Sequence, residues 1–272
     1  MSVLESLGRR TVHHLDAFGD YCRFCGRTAA WSLEMLPRPR NFRLLLPQFF
    51  DIGTRSIPVL MVTGLFVGMV LAVQTVTQFK ALNMVARMGS IVNISVLREL
   101  GPVLAAVVLA GRVGGGLTAE LGTMRVTEQI DALRAMGADP IRTLVVPRVL
   151  ACVLLIPVLV LYTSFMGILG GYVISVYIYH INPPEFWQHA TERVHGFDVF
   201  YGPIKSLFFG AAIGLICCYK GFRCEPGAAG VGRACTQAFV TSCLVILMLD
   251  LFLGMFLNTV FELVFGLEKV ML

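Results

Sequence analysis

The sequence predicts an all-α integral membrane protein. The expected architecture is an N-terminal interfacial amphipathic helix plus five transmembrane helices. A cytoplasmic coupling helix sits between spans 2 and 3, and a small outer helix between spans 3 and 4. Three observations carry this. Only 14% of the 272 residues are charged, where a soluble domain carries about 25%. Apolar residues make up 56% and the mean hydropathy is +0.76, concentrated in runs long enough to cross a bilayer. Between two of those runs lies a charged, helix-forming segment closed by Asp139-Pro140 and Pro147-Arg148. The chain reads as one domain. Residues 1–56 form an interfacial N-terminal segment, 57–261 the five-span bundle, and 262–272 an outer C-terminal tail.

The N-terminal segment shows helical periodicity over 3–30. Leu4, Leu7, Thr11, Leu15, Phe18, Cys22, Cys25 and Ala29 fall on one face, and Glu5, Arg9, His13, Asp16, Asp20, Arg23 and Arg27 on the other. Such a helix lies in the membrane interface. Pro37-Arg38-Pro39-Arg40 stops it, and no apolar core of a secretory signal is expected in the first 56 residues.

The first span is expected at 57–79, with Gln74 and Gln78 near its far end. The second, at 91–117, contains Arg98, Glu99 and Arg112. The third runs without formal charge from 149 to 179, longer than the roughly 20 residues needed to cross, so it tilts, kinks at Pro157 or projects. The fourth, 202–219, is short and glycine-rich, and the fifth, 234–261, is interrupted by Asp250 and Asn258. Four spans carry a GxxxG pair (Gly64/Gly68, Gly111/Gly115, Gly167/Gly171, Gly210/Gly214), read as close helix packing. Fifteen Lys and Arg fall on the side of the N-terminus and the 120–148 loop. Six, Lys205 among them, fall on the other. The positive-inside rule therefore places the N-terminus in the cytoplasm and, after five spans, the C-terminus outside.

The composition excludes several chemistries. No basic stretch with interleaved aromatics suggests nucleic-acid binding. The eight cysteines lie mostly in or beside apolar runs and imply no disulfide framework. Cys22 and Cys25 form a CxxC near His13 and His14, but no second ligand pair accompanies them, so no metal site is expected. AGRVGGGLTAELG lacks the GK[ST] ending and follows no strand, so it is not a nucleotide loop. ATP hydrolysis would belong to another chain.

The residues left to carry function are charged groups in or beside the spans. Glu128, Asp131 and Arg134 ride on a short exposed helix, the shape a soluble motor can grip, or a simple solvated loop helix. Arg98 and Glu99 lie at the outer end of the second span, where charge is costly unless paired or wet. They line a polar part of a substrate cavity, or they form an interfacial anchor or helix-to-helix ion pair. Arg112 is expected to pair with Glu120, Asp250 or a helix end, and Asp250 stands as a lone acid without a clear basic partner.

At these residues the chain resembles a known family. LRELGPVLAAVVLAGRVGGGLTAELGTMRVTEQIDALRAMGADPIRTLVVPR is similar to the signature region of the MlaE/YrbE-type permeases, the membrane subunits of MCE-associated ABC transporters, and TGLFVGMVLAVQ resembles their first span. The likeness covers about residues 50–260. It implies a homodimer in the bacterial inner membrane, with two cytoplasmic ATPase subunits, which hold the ATP and Mg, gripping a coupling helix near 127–138. Thr127, Glu128, Asp131 and Arg134 would make that contact. An MCE-domain protein would sit on the outer, periplasmic face. The cargo implied is membrane lipid, typically phospholipid, moved between inner and outer membranes. Its cavity would be lined by Leu71, Gln74, Gln78, Arg98 and Glu99. Residues 75–90 and the CxxC depart from the family pattern.

Two other classes are weighed. An ion- or proton-coupled secondary transporter using Asp250 and Glu99 predicts an internal repeat and several charges at midplane, and the sequence offers neither. A membrane enzyme using His180, His189 or His195 needs paired ligands or a nucleophile and base, which their spacing does not supply.

Overall fold

The computed structural model describes residues 3–35, 42–80, 88–192 and 196–270. Nearly all are helical, with no strand among the described residues. The expected stop at Pro37–Arg40, together with Arg87, Arg193 and His195, lies outside the described residues.

The first helix, α1 (Val3–Met35), is amphipathic in three sectors rather than two. Phe24, Thr28 and Met35 are buried against the bundle, while Val12, Leu15, Phe18 and Leu33 are exposed on another face. Arg23, Arg27 and Asp20 occupy the sector between. An exposed apolar face on a helix with a charged flank is the pattern of a surface-lying membrane helix.

Five helical stretches are long and apolar enough to cross a membrane: Leu44–Lys80, Gly89–Val126, Ile141–Ile178, Gly196–Phe222 and Ala228–Leu263. Span 1 comprises α2 (Phe42–Ile52), a single 3-10 turn at Thr54–Ser56, and α3 (Ile57–Lys80). Span 2 comprises α4 (Met88–Ser95), α5 (Gly101–Leu109) and α6 (Gly115–Val126), joined by π-helical turns at Val96–Leu100 and Ala110–Gly114. A short α7 (Gln129–Ala135) follows. Span 3 is α8 (Val146–Val173), preceded by a π-turn at Ile141–Val145 and followed by one at Ile174–Ile178. Small α9 (Pro183–Glu192) leads to span 4, α10 (Gly196–Phe222), and span 5 lies in α11 (Ala228–Val270). At 1.5 Å per residue, the 37 residues of span 1 reach about 55 Å, well past a hydrocarbon core of about 30 Å. The long spans therefore project beyond the bilayer, which is why hydropathy alone placed their ends too far inward.

Span 3 is the central post. Its most apolar window is 61% buried, against 28% for span 1 and 22% for span 5. Spans 1 and 4 pack on either side of it. Small residues make that possible. A Cβ added at Gly68 would collide with the backbone of Gly167, and one at Gly210 would lie 2.8 Å from the Cys152 carbonyl. Lipid offers no hydrophobic drive between helices, so such close approach is what holds them. Gly115 differs, with nothing within 4 Å of an added Cβ. One core runs through all five spans, including Leu60, Leu109, Ile156, Phe209 and Ile246.

The two ends are closed differently. At one end α9 lies on α4, with Phe186 buried and its ring 5.5 Å from that of Tyr172. His180, in the turn before α9, adopts φ 54°, a left-handed geometry that histidine tolerates better than most residues. At the other end α1 is tied to the loops. Trp31 Nε1 donates to Asp139 Oδ2 at 3.1 Å, and Arg223 Nη2 donates to Asp20 Oδ2 at 2.5 Å.

Candidate functional site

Pro102 has no N–H, so the carbonyl one turn before it loses its usual partner. The helix responds with a wide turn over Val96–Leu100, in which Gly101 N–H reaches back to the Val96 carbonyl. π-turns of this kind recur at functional sites, and this one carries Arg98 and Glu99. Both side chains point to α10. Arg98 Nε donates to Asp198 Oδ1 at 2.6 Å, and its Nη2 also reaches that carboxylate. Glu99 Oε2 accepts from Lys205 Nζ at 2.7 Å.

Lys205 is the centre of the cluster. Its side chain is fully buried, and Nζ donates to Asp250 Oδ1 at 2.9 Å as well as to Glu99. Burying an ammonium costs several kcal/mol, which only close anions and satisfied protons offset. Tyr201 sits between the two cations, its ring 5.5 Å from the Arg98 guanidinium and 4.8 Å from Lys205 Nζ. Its hydroxyl donates to the Gly254 carbonyl at 3.0 Å and lies 3.3 Å from Asn258 Oδ1. Gly254 faces Lys205, and a Cβ there would lie 3.4 Å from Nζ. Spans 2, 4 and 5 thus share one set of charges, partly open to solvent through Glu99, whose side chain is 46% exposed.

On the other side of span 2 is a shallow apolar groove of about 310 Å³ between spans 1 and 2. Phe66, Val70, Leu71, Gln74, Leu100 and Leu104 line it. Leu71 and Gln74 are therefore together, and Arg98 and Glu99 are together in the ionic cluster. The groove wall Leu100 directly follows Glu99 in the chain. Gln78 is exposed one turn beyond Gln74 and does not line the groove.

At the opposite end the chain turns between α6 and α7 through Glu128, which takes φ 59°. Thr127 Oγ1 donates to the Thr123 carbonyl at 2.8 Å. Asp131 accepts from Arg125 at 2.6 Å and from Arg134 at 2.9 Å, so one carboxylate bridges the end of α6 and the far side of α7. Ile130 is buried, while Glu128, Asp131 and Arg134 are exposed. Asp139 accepts the Ile141 N–H at 2.9 Å as well as the Trp31 indole, and Arg142 stacks over Trp31 at 4.6 Å. Burial pushes the Cys25 thiol above its usual range, which works against thiolate chemistry at the CxxC.

Two expectations are corrected. Asp250 is not a lone acid, because Lys205 is its partner. Lys205 itself is no flanking outer residue but lies fully inside the bundle. Of its expected partners Arg112 takes the helix end, and neither Glu120 nor Asp250. It donates to the Asp51 carbonyl, near the end of α2, at 3.3 Å and to Ser56 Oγ at 2.5 Å, while Glu120 holds Arg148 at 2.6 Å. Sequence reasoning placed none of Lys205, Asp198, Tyr201 and Asn258 in a site, although it counted Lys205 on the outer side and noted Asn258 in span 5. Asp198 and Lys205 are two helical turns apart, hence on one face, and Lys205 interrupts an apolar run. That was the available signal.

Comparison with known proteins places this geometry in context. Residues 45–256 match the family described as Permease MlaE. The chain is 38% identical over 248 residues to a probable ABC transporter permease protein of Rickettsia bellii, covering 91% of this chain and 95% of that one. It is 33% identical over 258 residues to the intermembrane phospholipid transport system permease protein MlaE of Haemophilus influenzae, covering 93% and 96%. The chloroplastic protein TRIGALACTOSYLDIACYLGLYCEROL 1 of Arabidopsis thaliana is 37% identical over 224 residues, 82% of this chain and 64% of that protein.

Proposed function

The chain belongs to the MlaE permease family, and from that premise we propose that it is the membrane subunit of an ABC transporter moving phospholipid between the inner and outer membranes. The observation that carries this reading is an ionic cluster of two cations and three carboxylates on a span whose other side lines an apolar groove, the two environments that an amphiphile's headgroup and acyl chains require. The name of the Haemophilus relative supports the phospholipid class. Arg98 and Glu99 contact the headgroup, while Leu71 and Gln74 contact the chains, with Gln78 at the mouth.

The chain holds no nucleotide loop, so the work is supplied by a cytoplasmic ATPase dimer with its ATP and Mg. That dimer grips the corner formed by Thr127, Glu128, Asp131 and Arg134. The Asp131 bridge makes α6 and α7 move together, so a push on α7 is passed along span 2 toward Arg98 and Glu99. Two copies of the chain close the cavity with the exposed apolar faces of spans 1 and 5, and an MCE-domain protein receives the lipid outside. The N-terminus is cytoplasmic and the C-terminus periplasmic.

Purification from native membranes in mild detergent, with mass spectrometry of co-purifying proteins and lipids, tests this. An ATPase, an MCE-domain protein and phospholipid are expected. Recovery of the chain alone, even after crosslinking, would contradict it. The Glu99–Lys205–Asp250 set favours one second reading, a proton-coupled transporter. That reading predicts transport driven by a pH gradient without ATP.

A further inference from the structure

The end of the molecule that carries α7 encloses a cavity of about 690 Å³ between α1, the α6–α7 corner and the end of α10. Its floor is aromatic, from Phe24, Tyr219 and Phe222. Its walls present Arg23, Arg27, Arg125, Arg134 and Arg223 against a single lining carboxylate, Asp20. Asp20 is already engaged by Arg223 at 2.5 Å and lies 3.9 Å from Arg23. Asp131 serves both Arg125 and Arg134. Five guanidinium groups therefore share two carboxylates, and three positive charges stay unbalanced around one concavity. The positive-inside rule accounts for basic residues on one side of a membrane. It does not account for arginines from separate segments converging on a cavity with an aromatic floor.

We propose that this cavity is a binding site for a phosphate group, supplied by the headgroup of an anionic glycerophospholipid. Guanidinium forks match phosphate oxygens in geometry and charge, and the aromatic floor accommodates the glycerol and the first acyl carbons. The source follows from α1. Val12, Leu15 and Phe18 are exposed on a face directed away from the bundle, so α1 lies on the membrane and sets the cavity at headgroup level. An occupant touches α1 and, through Arg125 and Arg134, the segment that carries α7. Occupancy therefore stiffens the corner on which an ATPase would act. That consequence rests on the function proposed above, whereas the binding itself does not.

Gly26 lines the cavity, and an added Cβ there meets nothing within 4 Å, so Gly26→p-benzoylphenylalanine reports what enters. The full chain, with whatever subunits co-purify, is placed in nanodiscs of phosphatidylcholine with or without phosphatidylglycerol. We expect photo-crosslinking to phosphatidylglycerol in preference to phosphatidylcholine. The exposed pair Arg23→Ala/Arg27→Ala lowers it about tenfold, and Arg23→Lys/Arg27→Lys retains most of it. Persistence of the crosslink in excess glycerol 3-phosphate assigns the source to lipid. Displacement keeps the phosphate site but assigns it to a soluble ester. Equal crosslinking to both lipids, indifference to the alanine pair, or crosslinks to a protein subunit alone would overturn the proposal. ATP-driven transport is measured separately, so either reading can fail without the other.

Discussion

Lys205 is the residue on which the membrane-embedded polar chemistry turns. Removing one member of a buried ionic set leaves the remainder uncompensated, at a cost of about 3 kcal/mol or more. Lys205→Met is therefore expected to lower the thermal unfolding midpoint in detergent sharply. Adding Glu99→Gln and Asp250→Asn to it should recover much of the loss, since neutral groups need no ammonium. Equal midpoints for the single and triple variants would separate Lys205 from its carboxylates. A milder effect is expected for Tyr201→Phe, which forfeits one buried hydrogen bond worth about 1 kcal/mol. At this scale the sequence was only half informative. Arg98 and Glu99 stand out because charges inside an apolar run are rare. Their partners come from residues 100 or more positions away, and nothing local announces such a pairing. Arg112 shows the same limit in part: a helix end was among its expected partners, but which helix, and the added Ser56 hydroxyl, no charge-matching argument would select.

At the scale of elements, the crossing of spans 1 and 3 and the α6–α7 corner make separable predictions. Gly68→Val forces α3 away from the Gly167 backbone and should destabilise the bundle by about 3 kcal/mol, whereas Gly115→Ala, facing open space, should leave the melting midpoint unchanged. Two equal responses would show that the crossing is not limited by backbone contact. Asp131→Lys removes the bridge between Arg125 and Arg134. These groups are largely exposed, so stability should change by about 1 kcal/mol or less, while the ratio of lipid moved to ATP hydrolysed should collapse. Normal coupling in this variant would remove α7 from the proposed drive path. The helical elements were legible in the sequence because their apolar periodicity is long. The wide turns were not. Two of the four, at Val96–Leu100 and Ile141–Val145, lie just before Pro102 and Pro147, which remove a donor from the turn before each and re-aim side chains rather than end the helix.

The whole molecule leaves spans 1 and 5 mostly uncovered. Phe66 and Val70 on one, and Met248, Phe252 and Met255 on the other, are exposed. In the proposed dimer these faces would meet the second copy. Cysteines introduced singly at Val70 and Phe252, in a background lacking the exposed native thiols, should give a symmetric crosslinked dimer at one or both positions. A chain that stays monomeric under crosslinking at every position on both faces would refute that assembly. Five spans, a single domain's worth of apolar core and the signature block were all readable from 272 residues, because each rests on composition and local pattern. The cavity of arginines at the α7 end was not, because it depends on α1 folding back onto loops more than 100 residues away.

The proposed function has ATP hydrolysis by a partner drive phospholipid through this permease. Its most direct test is transfer of a labelled phospholipid from proteoliposomes that contain the complex assembled from purified subunits. Transfer that requires ATP, stops when the ATPase is catalytically inactive and falls with Lys205→Met is the predicted result. Transfer that proceeds without the ATPase and follows an imposed proton gradient would contradict it.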